Sequence, residues 1–95
     1  MRTALDEKLD EALAAHHAGD LAQAEAGYRK VLAQWPQATD AMNFLGVLLH
    51  QTGRSAQGME LMHQSIRLNR NIAMYHYNLG NALREQLRYD EAVES

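Results

Sequence analysis

Apolar residues recur along this chain at helical spacing, in pairs of segments divided by turn residues. Ala41, Met42, Leu45, Leu48 and Leu49 follow the i, i+3, i+4, i+7 rule for one face of a helix. Thr39 is a suitable cap just upstream, and the helix is expected to stop near Gly53. Ser55 then caps a second helix, whose apolar positions are Met59, Leu61, Met62, Ile66 and Leu68. Nearer the start, Asp20 with Gln23 three residues on resembles a capping box and opens a helix through Leu21, Ala24, Tyr28, Val31 and Leu32. Pro36 ends that helix, because proline cannot donate the backbone bond and disfavours helix in the residue before it. Leu5, Leu9 and Leu13 form the stripe of an earlier helix.

These segments repeat. A shift of 34 positions places Leu45 on Leu79, Gly46 on Gly80, Leu49 on Leu83, Arg54 on Arg88 and Glu60 on Glu94. The same shift places His16 on His50, Gly19 on Gly53, Ala22 on Ala56 and Gln23 on Gln57. A fixed period of this kind marks a stack of like units, each too small to bury its apolar face alone. The expected units are 5–38, 39–72 and an incomplete 73–95, forming a single array over 1–95.

Period and motif together resemble the tetratricopeptide repeat family, whose unit is helix, turn, helix. Met42, Leu45, Gly46 and Leu49 fill the first half of the pattern in unit two, and Leu79, Gly80 and Leu83 repeat it in unit three. Ala24, Tyr28 and Pro36 fill the second half in unit one, and Ala92 falls at the same small position in unit three. The fold expected is all-α, a right-handed solenoid. Gly46 and Gly80 let the two helices of a unit approach closely, while Leu45, Leu49, Leu79 and Leu83 fill the layer between units. The resemblance implies that first helices line a concave side where extended peptides bind. In unit two its outward positions are Asp40, Asn43, Val47, His50 and Gln51; in unit three they are Met74, Tyr77, Asn78, Asn81, Arg84 and Glu85. The run Tyr77-Asn78-Leu79-Gly80-Asn81 is similar to repeats of protein O-linked N-acetylglucosamine transferases, in which asparagines hold the substrate main chain. An amide suits that task, offering one acceptor and two donors. Asn78 takes the ladder position, but Phe44 stands there in unit two, so the ladder is interrupted.

Three departures shape further expectations. Lys8 and Glu11 stand where apolar residues belong, as expected of a terminal repeat with a polar outer face, so the N-terminus is read as genuine. Arg70 replaces the proline equivalent to Pro36, which makes Asn69, Arg70 and Asn71 a candidate hinge, either a short turn or a fused helix. Asp90, Glu91, Ala92 and Val93 just begin a last helix before Ser95, so the chain reads as the N-terminal part of a longer protein. Leu79, Leu83 and Tyr75 or Tyr77 would then expose an apolar patch that drives homo-oligomer formation or swapping.

Composition narrows the function. Ninety-five residues, 46% of them hydrophobic, give a thin core and little room for an enzyme. Nine basic against 12 acidic residues, net −3, disfavour nucleic acid, and zero cysteines exclude thiol chemistry and thiolate metal sites. No apolar run approaches the roughly 20 residues of a membrane span, and charges break any leader core, which points to the cytoplasm. His16, His17 and His50 lack the spacing of a metal site and suit helix C-termini instead. Asp6-Glu7 and Asp10-Glu11 suit a helix start, and Trp35 and Met59 read as packing residues. The expectation is a protein or peptide partner, with no cofactor, no metal and no catalysis in this segment. Alternatives are a recognition region of a glycosyltransferase-like enzyme and a self-assembly unit.

Overall fold

The computed structural model describes residues 1–94 as five helices. These are α1 (Ala4–His17), α2 (Leu21–Gln34), α3 (Thr39–Gln51), α4 (Ser55–Leu68) and α5 (Ala73–Glu94). The first four pair as two hairpins, α1 with α2 and α3 with α4, and α5 packs on α4 and α3. Gly19 and Gly53 close the hairpins at φ of 84° and 83°, a left-handed conformation that a Cβ makes costly.

Hydroxyl and carboxylate caps are used differently from the sequence expectation. Asp20 accepts from the Gln23 N–H at 3.2 Å, but the reciprocal half of the capping box is not made there. A full box forms at α1, where Thr3 Oγ1 accepts from the Asp6 N–H at 3.1 Å and Asp6 accepts from the Thr3 N–H at 3.0 Å. Thr39 and Ser55 are not caps. Each is the first helical residue behind Ala38 or Arg54, and neither of those makes a side-chain cap bond. Their hydroxyls serve longer-range bonds instead.

Burial follows the stacking. Ala12, Ala24, Tyr28, Leu45, Leu48 and Leu49 form one core cluster across the two hairpins, with Leu9, Leu13, Leu21, Leu32, Phe44 and Leu61 packed on it. Tyr28 stacks on Phe44 with ring centroids 6.2 Å apart, which ties unit one to unit two. Within the second hairpin the helices cross backbone to backbone. A Cβ on Gly46 would lie 2.6 Å from the Gly58 carbonyl oxygen and 2.8 Å from Met62 Cγ.

Unit three departs from this plan. Gly80 has nothing within 4 Å of a built Cβ, Leu83 is 49% exposed, and Leu79 is only half-buried, so these three do not fill an interhelical layer. The cause lies downstream. Leu87 stands one period beyond Gly53, where units one and two have Gly19 and Gly53. Without a residue suited to positive φ the helix does not turn back; α5 runs unbroken for 22 residues. Asp90 to Val93 therefore continue α5 rather than start a new helix. The fusion considered for the Arg70 junction occurs at Leu87 instead. Residues 69–72 form a turn like 35–38, with the Asn69 N–H donating to Ser65 O at 3.0 Å as the Trp35 N–H donates to Val31 O at 2.7 Å. Of the two tyrosines offered for the exposed patch, Tyr75 is 1% exposed and Tyr77 is 67% exposed.

Candidate functional site

Successive first helices, α1, α3 and α5, are joined by polar contacts that repeat at an offset of 35 residues. His16 Nε2 meets Gln51 Oε1 at 2.7 Å, and His50 Nε2 meets Glu85 Oε2 at 2.8 Å. Both acceptors lack a proton, so each Nε2–H donates; in the neutral ring Nδ1 then accepts, from the Tyr28 hydroxyl at 2.8 Å and the Ser55 hydroxyl at 2.9 Å. Equivalent histidines thus perform equivalent inter-repeat work.

Asn43 belongs to this internal network and not to the open face. It is fully buried, a correction to its expected outward position. Its Nδ2 donates to Ser65 Oγ at 3.0 Å, Ser65 donates on to Met62 O at 2.7 Å, and Asn43 Oδ1 accepts from Asn78 Nδ2 at 2.7 Å. One amide therefore pins α3, α4 and α5 together, because burial obliges it to use both ends. Beside it the buried Tyr75 hydroxyl donates to the Asp40 carboxylate and sits 2.9 Å from Thr39 Oγ1. Burial, reinforced by Asp40, pushes that phenol up to about 12.

Six of the expected outward residues do come together. Val47, His50, Gln51, Asn78, Asn81 and Glu85 line a cavity of about 180 Å³ with Met62 and Ala82. That volume admits one or two side chains and falls below the range typical of small-molecule sites. Tyr77, 67% exposed, and the exposed Arg84 do not line it. Arg84 donates to Asn81 Oδ1. At the opposite end of the stack a hollow of about 590 Å³ opens between α1 and α2, lined in part by Lys8, Glu11, Lys30 and Trp35. Lys8 and Glu11 occupy the positions of buried Met42 and Leu45 one unit later.

One charged contact was not anticipated. Arg54, beside the second hairpin turn, reaches Glu25 on α2 through two bonds, at 3.0 and 2.6 Å, and Arg29 bonds the same carboxylate at 3.0 Å. These guanidinium bonds, Arg54 first, hold the Glu25 carboxyl at about 2, against an ordinary 4.5. A depressed carboxyl stabilises the fold above its unfolded value and loses that contribution as the pH falls toward its folded value. Thermal melts are expected to show stability declining from pH 5 to pH 2, with a shallower decline in Glu25→Gln. Identical pH profiles would contradict the assignment.

Among the described residues no helix is long and apolar enough to cross a membrane. No curated protein sequence matches the chain. A solved structure of a Thermobaculum terrenum O-GlcNAc transferase mutant does, at 31% identity and a TM-score of 0.80. That match covers 87% of this chain but only 17% of the transferase chain. The tetratricopeptide repeat model matches residues 9–70, from within α1 to just past the end of α4. The chain belongs to the tetratricopeptide repeat family.

Proposed function

We propose that the face formed by α1, α3 and α5 binds an extended segment of a partner protein without altering it chemically, in keeping with the protein–protein interaction that repeats of this family mediate. The observation that carries this reading is the cluster of Val47, His50, Asn78 and Asn81 around one shallow cavity, with Tyr77 exposed on the same helix as the asparagines. Amides beside an aromatic ring can pair with a peptide main chain and cover its side chains.

Asn78 is a poor test residue because its amide also supports Asn43. Tyr77→Ala combined with Asn81→Ala alters the open face and leaves that network in place. On an array of extended peptides, the double variant is expected to lose the peptides the parent retains while keeping its helical content. An unchanged binding set and affinity would sink the proposal.

The likeness to an O-GlcNAc transferase favours a narrower form, in which this face selects protein substrates for a glycosyltransferase activity located elsewhere in the same protein. Exposed Leu83 and Leu87, at 49% and 58%, favour a separate reading, self-association through α5. Light scattering separates the two classes: a monomer at millimolar concentration removes self-association and leaves partner binding.

A further inference from the structure

The stripe by which α5 packs on the stack runs on past the residues that the stack covers. Tyr75, Asn78, Ala82, Gln86, Tyr89 and Val93 follow i, i+3, i+7, i+11, i+14, i+18 and share one side of the helix. Tyr75 and Ala82 are buried, and Asn78 and Gln86 are half-buried. Tyr89 and Val93 are 65% and 69% exposed, and every residue over 87–94 is exposed. Leu83 and Leu87 lie on the opposite side of α5.

The repeat relates this overhang to the hollow of about 590 Å³ at the other end of the stack. Where α2 packs on α3, Ala24 and Tyr28 share a core cluster with Leu45, and Leu21 packs on it. Tyr89 and Ala92 stand two periods beyond Leu21 and Ala24, while Lys8 and Glu11 stand one period before Met42 and Leu45. The end of α5 and the hollow are thus equivalent to the two sides of the α2–α3 junction. Their charges are complementary. The hollow presents Lys8 and Lys30 against Glu11, beside Val31 and Trp35, whereas residues 87–94 carry Asp90, Glu91 and Glu94 against Arg88. Among the described residues neither lysine pairs with a carboxylate. Arg70, Arg84 and Arg88 share that state, and what distinguishes the lysines is their place in the hollow.

We infer that the hollow receives residues 87–94 of a second copy of the chain, head to tail. Tyr89, Ala92 and Val93 form the apolar side of that segment, and Asp90 and Glu94, one turn apart, flank it on the side that meets the lysines. The contact joins unlike surfaces, so each added copy leaves a free hollow and a free end, and open chains form rather than closed dimers. Two helical turns bury less than the roughly 1,200 Å² of a standard interface, so the association is weak.

This inference rests on the self-association reading above and assigns its surfaces. Sedimentation of the 95-residue chain up to millimolar concentration tests it, with circular dichroism confirming that each variant keeps its helices. The mean mass is expected to rise past that of a dimer without levelling, and to fall with added salt. Lys8→Glu with Lys30→Glu, and Asp90→Lys with Glu94→Lys, should each weaken association about tenfold, while an equimolar mixture of the two variants regains it because opposite charges again meet. Tyr89→Ala with Val93→Ala should weaken it by at least as much. A mass that levels at a dimer, indifference to the reversed lysines, or a mixture no stronger than its components overturns the inference. If association survives both charge reversals but is lost in Leu83→Ser with Leu87→Ser, the head-to-tail inference fails alone and self-association through the other side of α5 stands. A parent chain that stays monomeric removes both and leaves the hollow to a different protein.

Discussion

Alanine at Gly46 is expected to destabilise the fold by about 2 kcal/mol, while alanine at Gly80 stabilises it by up to about 1 kcal/mol. The two glycines hold the same place in consecutive units, between Leu45 and Val47 and between Leu79 and Asn81. The new methyl at Gly46 meets the Gly58 carbonyl at 2.6 Å, so α3 and α4 must separate, and the core between them loosens. A backbone carbonyl cannot rotate aside as a side chain can, which makes this a costly overpacking. At Gly80 the methyl enters open space within a helix, and the only effect is the removal of glycine's unfavourable helix entropy. Chemical denaturation of both variants checks the pair. Effects of the same sign would mean that α5 packs against a further helix at Gly80.

Asn43→Ala is expected to cost about 2 kcal/mol, more than truncating the half-buried Asn81. The substitution removes the donor to Ser65 and strips the Asn78 amide of its acceptor, in a site with no exposure. Ser65 retains its bond to the Met62 carbonyl, so the loss centres on the α3–α5 contact. Because Asn43 is the point at which three helices meet, the same change should weaken docking of α5 before it unfolds α3 and α4. Hydrogen exchange resolves this order: amides of α5 should lose protection first. Uniform loss across all five helices would contradict this order and show that the chain opens as one cooperative unit.

The period and both closed hairpins were legible in the sequence because glycines, caps and apolar spacing act locally. Gly19 and Gly53 specify turns through their own backbone freedom, so their positions translate directly into structure. Asn43 was not legible as a buried residue. An amphipathic reading sorts a helix into one apolar and one polar face, yet α3 is contacted by α2, α4 and α5, and the last contact is made through amides. Leu79, Gly80 and Leu83 match their counterparts in unit two, but their surroundings depend on whether a second helix folds back over them. That depends on Leu87, whose identity was readable in the 34-residue comparison as the missing third glycine. Thr39 and Ser55 misled for a different reason: hydroxyls near helix starts cap only when no stronger partner is close, and Tyr75 and His50 are close. Of the groove residues, Val47, His50, Asn78 and Asn81 share a cavity, whereas Tyr77 and Arg84 stand beside it.

The continuity of α5 also makes it a ruler. At about 1.5 Å per residue its 22 residues measure about 33 Å, longer than any other helix among the described residues. Groups carried along one continuous helix keep their separations better than groups on two arms of a hairpin, which shift with every change in the crossing angle. A ligand that reads distances along α5 therefore meets a surface already set to length. Leu87 decides whether the protein offers that scale or folds it in half.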